Sequence, residues 1–287
     1  MRIGIFDSGL GGLIITRAIR KVMPEYDYVY FGDTKRVPYG NKSPEAVLEF
    51  TREAVDYLFR QENCAVVVIA CNTASARALR HIQQEYSPAR NALQSKADGS
   101  RNFKDRKILG VLIPAAEVAS NYKRVGVLAT LGTVASNAWA VEIKKLNSQT
   151  KVFQNPAPML VPLIEEGEKT LSKSFLLKYL KPLTNKKLDA LVLGCTHYPI
   201  LKKEIKKITG KNVKIISQDE IIPKRLKDYL ARHPEISQKL SKKKSMKILV
   251  TDKTQNLNFL VKRWFSETQT KGTGGQIKPK IINLEKF

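Results

Sequence analysis

Short apolar runs rich in β-branched residues alternate with segments of helical periodicity along most of the chain. Each run ends in polar or small residues, which is typical of a buried strand that leads through a loop into a helix. This alternation indicates β-α units on mostly parallel sheets, and hence an α/β fold. The predicted strands are Ile3–Phe6, Tyr28–Phe31, Val66–Ala70, Ile108–Leu112, Arg124–Leu128, Leu191–Gly194, Val213–Ile216, Lys247–Val250 and Lys280–Asn283. The predicted helices are Leu13–Met23, Pro44–Arg60, Thr73–Tyr86, Thr133–Leu146, Lys173–Leu183 and Leu201–Ile208.

Two polar segments interrupt this alternation. Residues Ser87–Lys107 contain few large apolar side chains and are too long for an ordinary connection in a β-α unit, so we expect a flexible surface insertion. Residues Ser237–Lys247 form a lysine-rich run before a strand. This run predicts a solvated surface segment rather than a dedicated binding patch.

The overall composition is that of a globular protein. The chain has 287 residues, of which 43% are hydrophobic and 26% are charged, and this balance excludes a disordered or collagen-like protein. The length suits one large α/β domain or two domains of about 100 to 150 residues. Because the longest apolar runs are far shorter than the roughly 18 residues of a membrane span, we expect a cytoplasmic protein with no membrane segment.

The net charge at pH 7 is +24, and most of the basic excess lies in residues 151–287. Such a charge suits an acidic small molecule, a nucleic acid or no partner at all. The lysines are not interleaved with aromatic residues, and no helix-turn-helix or RNA-binding signature is present. The sequence therefore disfavours nucleic-acid binding as the main role.

The three cysteines, Cys64, Cys71 and Cys195, cannot form an all-paired disulfide framework, and no Cys or His spacing matches a zinc site. We therefore expect free thiols and no metal. Two of them share a context, because VVVIACNTA (66–74) and ALVLGCTHY (190–198) are both apolar strands that run into a cysteine. A weaker similarity relates IGIFDSG (3–9) to VGVLATLGT (125–133). These similarities predict two related halves with one cysteine on each side of a shared site.

The predicted position of Cys71 and Cys195 suits acid–base chemistry. Each thiol follows a strand, where the N-terminus of the next helix should lower its pKa toward neutrality. A single nucleophilic thiol would pair with His197 for acyl transfer, but this reading leaves Cys71 without a role. Two thiols that face one carbon atom suit inversion of a stereocentre, because one removes a proton while the other delivers a proton to the opposite face.

Polar residues near predicted strand ends provide each thiol with a partner. We assign Asp7 to Cys71, and we assign His197 and Glu165 to Cys195. Each of these groups would tune the proton affinity of its thiol. The sequence therefore favours proton transfer without a metal or an organic cofactor.

Two loops carry further candidates. The segment DSGLGGL (7–13) departs from the nucleotide-binding pattern GxGxxG. It predicts a tight turn whose amides and Ser8 hydroxyl hold a small carboxylate or an amino acid. For the segment VPYG (37–40), a functional and a structural role stay equally open.

Several segments together resemble the glutamate racemases in order and approximate spacing. They are IGIFDSGLGGL, YFGDTKRVPYG, VVIACNTASA, VGVLATLGTVASNAW, LVPLIEEG and LVLGCTHYPIL. The resemblance implies a bacterial enzyme that interconverts L- and D-glutamate without pyridoxal phosphate and supplies D-glutamate for peptidoglycan. It also implies two similar α/β domains related by a pseudo-twofold axis, with the active site in the cleft between them. Residues 1–114 plus 211–287 would form the first domain, and residues 115–210 would form the second.

The resemblance also implies a role for each site residue. Cys71 and Cys195 would be the two catalytic acid/bases, with Cys195 serving L-glutamate and Cys71 serving D-glutamate. The supporting polar groups would be Asp7, Glu165 and His197. The implied substrate contacts are Asp7, Ser8, Tyr39, Gly40, Asn72, Thr73, Thr196 and His197. A homodimer with no membrane partner is expected.

Two alternatives stay open at this point. An aspartate or broad-specificity racemase of the same fold would use the same thiols, although the segments THYP and LVPLIEEG fit the glutamate enzymes better. Some glutamate racemases also inhibit DNA gyrase, so a secondary role in binding nucleic acid or gyrase is the second alternative, and here only the basic charge favours it.

Overall fold

The first of two parallel sheets is built from the N-terminal segment and the C-terminal segment of the chain. The computed structural model describes residues 1–87, 103, 105–265 and 278–284. In spatial order, the first sheet consists of β10 (Lys280–Ile281), β9 (Met246–Val250), β2 (Tyr28–Gly32), β1 (Arg2–Asp7), β3 (Cys64–Ile69) and β4 (Lys107–Gly110). Every pair of neighbouring strands is parallel. The central strands are buried throughout, as expected for a parallel sheet covered on both faces.

The second sheet comes from the middle of the chain. In spatial order, it consists of β6 (Lys151–Pro156), β5 (Arg124–Ala129), β7 (Ala190–Gly194) and β8 (Lys214–Ile216). These strands are also parallel. The α/β fold with mostly parallel sheets is therefore confirmed.

The two sheets repeat one topology. Four strands of the first sheet have the order β2-β1-β3-β4, and the second sheet has the order β6-β5-β7-β8. The two orders match strand by strand, because β2, β1, β3 and β4 correspond to β6, β5, β7 and β8. Strands β3 and β7 are therefore equivalent, and each is followed at once by one of the cysteines, Cys71 or Cys195. The internal similarity seen in the sequence corresponds to this repeated strand order.

Helices connect the strands and cover the sheets. They are α1 (Gly12–Val22), α2 (Pro44–Arg60), α3 (Asn72–Arg77), α4 (Leu79–Glu85), α5 (Leu112–Ala119), α6 (Leu131–Ala135), α7 (Ala138–Leu146), α8 (Leu160–Glu166), α9 (Lys169–Thr184), α10 (Lys202–Thr209), α11 (Gln218–Arg232), α12 (Pro234–Ser237) and α13 (Leu257–Phe265). Short 3₁₀ turns lie at Tyr39–Asn41 and Tyr198–Leu201. Helix α2 shows how sequence sets a boundary, because the Ser43 hydroxyl accepts a hydrogen bond from the Ala46 amide and Pro44 occupies the first position. No helix among these described elements is long and apolar enough to span a bilayer.

Some predicted elements need correction. The predicted helix Thr73–Tyr86 is two helices that meet at Ala78, and Thr133–Leu146 is also divided, because Asn137 adopts a left-handed conformation with φ 56°. The strand predicted to end at Leu112 stops at Gly110, because α5 begins there. Strand β6 and helices α5, α8, α11, α12 and α13 were not predicted.

The two sheets share part of their hydrophobic core. One buried cluster contains Ile5 of the first sheet together with Leu193 of the second. Helix α1 contributes to this cluster and packs against α11 and α13. The carboxyl ends of both sheets are therefore joined through packed helices rather than through a loose linker.

We propose that each sheet with its helices forms one domain. The expected boundary at residues 210 and 211 places β8 in the first domain, whereas β8 is hydrogen-bonded to β7 in the second sheet. A boundary after Ile216 keeps every strand with its own sheet. The chain then returns to the first domain through α11, which begins at Gln218.

The two polar segments differ in what the structure describes. Most of the predicted insertion at Ser87–Lys107 lies outside the described residues. Phe103 is described, and its ring packs against Phe59 and Tyr86 at centroid separations of 5.6 and 6.1 Å. In the lysine-rich run, Lys242, Lys243 and Lys244 are exposed, which confirms the prediction of a solvated segment.

Candidate active site

The predicted site residues lie where loops leave the carboxyl ends of the strands. In each sheet the chain moves first to one side of a central strand and then to the other, which creates a switch point beside that strand. Asp7 and Cys71 flank the switch point between β1 and β3, and Thr130 and Cys195 flank the one between β5 and β7. Parallel sheets bind their ligands at such points.

Cys71 is a buried thiol with a hydroxyl neighbour. Its side chain is 5% exposed, and its sulfur lies 3.2 Å from the Ser8 Oγ atom in a hydrogen bond. Cys71 also caps α3, because its carbonyl accepts the Ser75 amide. Strand β3 and the glycine-rich loop after β1 thus bring two residues that are 63 positions apart into contact.

The pKa of the Cys71 thiol differs from the expectation of a value near neutrality. Burial and the nearby Asp7 carboxylate raise this pKa to about 12. The hydrogen bonds from Ser8 and from the Ala74 amide act in the opposite direction but are weaker. Cys71 is therefore a protonated thiol in the free protein.

Cys195 has a different partner, an imidazole supported by a carboxylate. The Cys195 sulfur lies 3.7 Å from the His197 Nδ1 atom, and the His197 Nε2 atom lies 2.8 Å from the Glu165 Oε1 atom. Glu165 is at the end of α8, whereas the other two residues follow β7. His197 is 5% exposed, so these bonds form in a region of low water content.

The His197 imidazole is held as a cation. Burial alone would lower its pKa, but the hydrogen bonds and charges of Cys195 and Glu165 outweigh burial and raise the pKa to about 10. The edge of the ring also meets Trp264 of α13, with ring centroids 5.3 Å apart and planes at 87°. His197 is therefore fixed on three sides, and at pH 7 both of its nitrogens act as donors.

Asp7 joins the two halves of the site. Its buried carboxylate accepts the Gly9 amide at 3.1 Å and the Thr196 hydroxyl at 3.4 Å. Burial raises the pKa of Asp7 above its ordinary value, although the His197 charge and backbone amides oppose this shift. The loop after β1 therefore contacts both Cys71, through Ser8, and the residue that follows Cys195.

Glycines in the loop after β1 allow this close approach. A Cβ atom at Gly11 would lie 2.4 Å from the His197 Nδ1 atom and 2.5 Å from the Thr196 Oγ1 atom. A Cβ atom at Gly12 would lie 2.6 Å from the Cβ atom of Asp7. The glycines are therefore needed for space around the site rather than for phosphate binding.

The VPYG loop lies next to Thr130, the residue that follows β5. The Tyr39 ring is buried, and its hydroxyl donates to the Asp33 Oδ2 atom at 2.5 Å, so the phenol is already occupied. Asp33 also accepts hydrogen bonds from Arg36 at 2.7 Å and from Thr251 at 2.8 Å. A Cβ atom at Gly40 would lie 3.0 Å from the Cβ atom of Thr130 on the second domain.

Comparison with known proteins identifies the family. The model of the Asp/Glu/hydantoin racemases matches residues 108–219. A glutamate racemase of Aquifex aeolicus is 35% identical over 288 residues, which cover 99% of this chain and 98% of that protein. The chain belongs to the glutamate racemase family. A glutamate racemase of Geobacter metallireducens is 40% identical over 223 residues, which cover 76% of each chain.

A solved structure of the glutamate racemase family supports the same assignment. The glutamate racemase of Francisella tularensis, crystallised in complex with D-glutamate, has a TM-score of 0.84 against this chain. The two chains are 30% identical, and the match covers 100% of this chain and 98% of the other. The resemblance drawn from the sequence motifs is therefore confirmed.

The structure adds Thr130, Thr133 and Gln218, three polar residues of the site that were not predicted. The Thr73 hydroxyl, expected at the substrate, bonds to the hydroxyls of Thr130 at 2.9 Å and Thr133 at 3.2 Å. Asn72 forms a buried hydrogen-bonded pair with Gln218. Thr130 and Thr133 lie within VGVLATLGT, a segment already seen to resemble the loop of Asp7, so the sequence contained a signal for them.

All three cysteines are free, as predicted. Cys64 is buried away from the site in contact with Gly4, and burial raises its pKa to about 12. Within the described part of the chain, no group of three or more His, Cys, Asp or Glu residues is placed to hold a metal ion.

Proposed function

We propose that this protein interconverts L- and D-glutamate by transferring protons at the α-carbon between Cys71 and Cys195. One observation carries the proposal. The two thiols follow equivalent strands of two sheets with the same topology, and the chain around Asp7 links them, because Ser8 contacts Cys71 and Asp7 contacts Thr196 next to Cys195. The glutamate racemase relatives support glutamate as the substrate.

In the direction from L- to D-glutamate, the Cys195 thiolate removes the α-proton and becomes a thiol. Cys71, which begins as a thiol, gives its proton to the opposite face of the same carbon and becomes a thiolate. The C–H bond on one face is thereby replaced by a C–H bond on the other, and the total number of protons is conserved. The reverse reaction uses the same two groups in exchanged roles.

The neighbours of each sulfur suit this starting state. The protonated His197 side chain faces the Cys195 sulfur and stabilises a negative charge there. Burial and the Asp7 carboxylate keep the proton on Cys71. The family resemblance implies that Cys195 is the base toward L-glutamate and that Cys71 is the base toward D-glutamate.

The remaining polar groups supply contacts for an amino acid. Donors for its carboxylates are the Ser8 and Thr73 hydroxyls and the Asn72 amide, together with backbone amides at Tyr39 and Gly40. The Thr196 hydroxyl donates to Asp7, so its oxygen is the part that can accept from the amino acid. Asp7 is the buried acidic group suited to the ammonium group of the substrate. Asp7, Glu165 and His197 in addition set the proton affinity of the thiols.

We also propose that the chain acts as a cytoplasmic homodimer that supplies D-glutamate for peptidoglycan. The family resemblance supports this proposal, and sedimentation at a mass of two 32.3 kDa chains would test the dimer. A role in binding nucleic acid or DNA gyrase rests on the basic charge alone, so we do not propose one.

The direct test is incubation of the purified protein with L-glutamate in deuterated water without pyridoxal phosphate. We expect the optical rotation to decay to zero while deuterium accumulates at the α-carbon, because each inversion takes its new proton from a thiol that exchanges with solvent. Loss of rotation without deuterium uptake, or no reaction, would reject the proposal.

L-Aspartate is the matched control substrate. It is shorter by one methylene group, and one methylene is worth about 10- to 200-fold in kcat/KM in a simple pocket. We expect a higher kcat/KM for glutamate. Equal values would indicate a broad-specificity racemase.

A further inference from the structure

A buried pair of side-chain amides joins the two sheets beside Cys71. The Asn72 Nδ2 atom donates to the Gln218 Oε1 atom at 2.7 Å, and the Gln218 Nε2 atom donates to the Asn72 Oδ1 atom at 2.8 Å. The two residues are 2% and 1% exposed, so water does not compete for these bonds. Asn72 is the first residue of α3, and Gln218 is the first residue of α11 after the second sheet.

The backbone determines which way each amide points. The Gln218 Nε2 atom also donates to the Val111 carbonyl oxygen at 3.3 Å. A carbonyl oxygen only accepts, so a flipped Gln218 would place its own Oε1 atom against another oxygen. With Gln218 fixed in this way, Asn72 makes both of its bonds in only one orientation. Val111 therefore fixes Gln218, and Gln218 fixes Asn72.

This orientation leaves a donor on Asn72 for a ligand. The Nδ2 atom carries two hydrogens, and its bond to Gln218 uses one of them. No other acceptor for Nδ2 is found among the described residues. A carboxylate only accepts hydrogen bonds, so it is attracted to this N–H group and would be repelled by Oδ1 of a flipped Asn72.

We propose that Gln218 is a positioning residue that holds the Asn72 carboxamide with its free N–H group available to a substrate carboxylate. The inference rests on the proposed function, in which Asn72 contacts the amino acid. Gln218 has no hydrogen bond to either catalytic thiol, so its loss should weaken substrate binding more than it slows the chemical step.

The test is steady-state kinetics of Gln218→Met, which keeps the length of the side chain but removes its hydrogen bonds. We expect KM to rise about five- to tenfold for both glutamate enantiomers, the size of one hydrogen bond, while kcat changes less than about threefold. The matched control is Gln83→Met, because Gln83 donates to the Ile108 carbonyl at 2.7 Å outside the site. We expect no change of KM in this control.

A double-mutant cycle with Asn72→Ala separates positioning from a merely structural role. If Gln218 acts through Asn72, Gln218→Met should not raise KM further once Asn72 is alanine. An equal rise of KM in both backgrounds would overturn the inference, as would an unchanged KM in the single variant. If Gln218→Met does not fold, Gln218→Leu serves instead, since its side chain cannot donate to Asn72 or Val111. An unchanged KM in Gln218→Leu would also overturn the inference.

Failure of the inference and failure of the proposed function give different results. A wild-type protein that does not racemise glutamate rejects the function of the whole site. An active wild-type protein whose KM is insensitive to Gln218→Met rejects only the role of Gln218.

Discussion

The surroundings of the two thiols differ although their positions in the fold are equivalent. Cys71 follows β3 and meets the Ser8 hydroxyl and the Asp7 carboxylate, and its pKa is raised to about 12. Cys195 follows β7 and meets the His197 cation, which Glu165 supports at 2.8 Å. The repeated topology places the two sulfurs at equivalent positions in the two sheets. Their neighbours differ, so Cys71 keeps a proton and Cys195 lies beside a positive charge.

In the proposed function, this difference sets which thiol is the acid at the start of the reaction. Two thiols in identical surroundings would share one proton equally in the singly charged state, so neither would be the preferred acid or the preferred base. In the proposed reaction, burial and the Asp7 carboxylate keep a proton on Cys71, and the His197 imidazolium lies beside Cys195.

The largest effect is expected when either thiol is removed. Cys71→Ala and Cys195→Ala should each lower the racemisation rate by more than about 10³-fold, because no other group can carry the missing proton. Polarimetry with each enantiomer measures the loss. Cys64→Ala is the matched control, since Cys64 is buried outside the site, and it should retain activity. Turnover in either catalytic-site variant would mean that the reaction needs only one thiol.

A smaller effect is expected on the Cys195 side when Glu165 loses its charge. Glu165→Gln should lower kcat/KM by about 10- to 100-fold and move the alkaline limb of the pH–rate profile to lower pH. The physical reason is that the carboxylate contributes to the raised pKa of His197, so the imidazolium is lost earlier as the pH rises.

Glu166→Gln is the control for this prediction, because the Glu166 carboxylate accepts from Asn256 at 3.3 Å instead. It should leave the pH–rate profile in place. Equal shifts in both variants would show that Glu165 has no special connection to His197.

The stability of the protein should also depend on the proton of His197. Its pKa is about 10 in the folded protein and ordinarily 6.5, so the stabilisation is complete below pH 6.5 and is lost as the pH rises toward 10. The free energy of unfolding of the wild type should therefore fall over this interval relative to that of His197→Asn. Urea titrations at fixed pH measure the difference, and parallel curves for the two proteins would contradict a protonated His197.

The smallest effect is expected in fluorescence. The chain has two tryptophans, and Trp139→Phe leaves Trp264 as the only indole. Because Trp264 contacts the His197 ring, its emission should rise when the quenching imidazolium loses its proton near pH 10. The same titration in Trp139→Phe/His197→Asn should be flat, and a persistent rise would assign the change to another group.

The sequence was informative where one pattern extends over several residues. The buried strands before Cys71 and Cys195 are continuous apolar runs, so both strands and their shared loop position were predictable. Strand β6 was missed because KVFQNP has only two large apolar residues and lies at a sheet edge with no fully buried position. Helix α11 was missed because Pro223 lies inside it, where proline is ordinarily unfavourable, and helix α8 was missed because it has only seven residues.

The site shows the same limit. Asp7, His197 and Glu165 were found because their motifs are distinctive, and the structure brings His197 to Glu165 and to the Cys195 sulfur. Gln218 was not found, because its role depends on a contact with Asn72, 146 residues away. The raised pKa of Cys71 was also missed, because a helix N-terminus is visible in the sequence whereas complete burial beside Asp7 is not.

A crystal structure of the complex with D-glutamate tests the central claim most directly. We predict that the Cys71 and Cys195 sulfurs approach the α-carbon from opposite faces, each near van der Waals contact, with the α-hydrogen directed at Cys71. Two sulfurs on the same face, or one sulfur separated from the α-carbon by other side chains, would contradict a proton transfer between these two thiols.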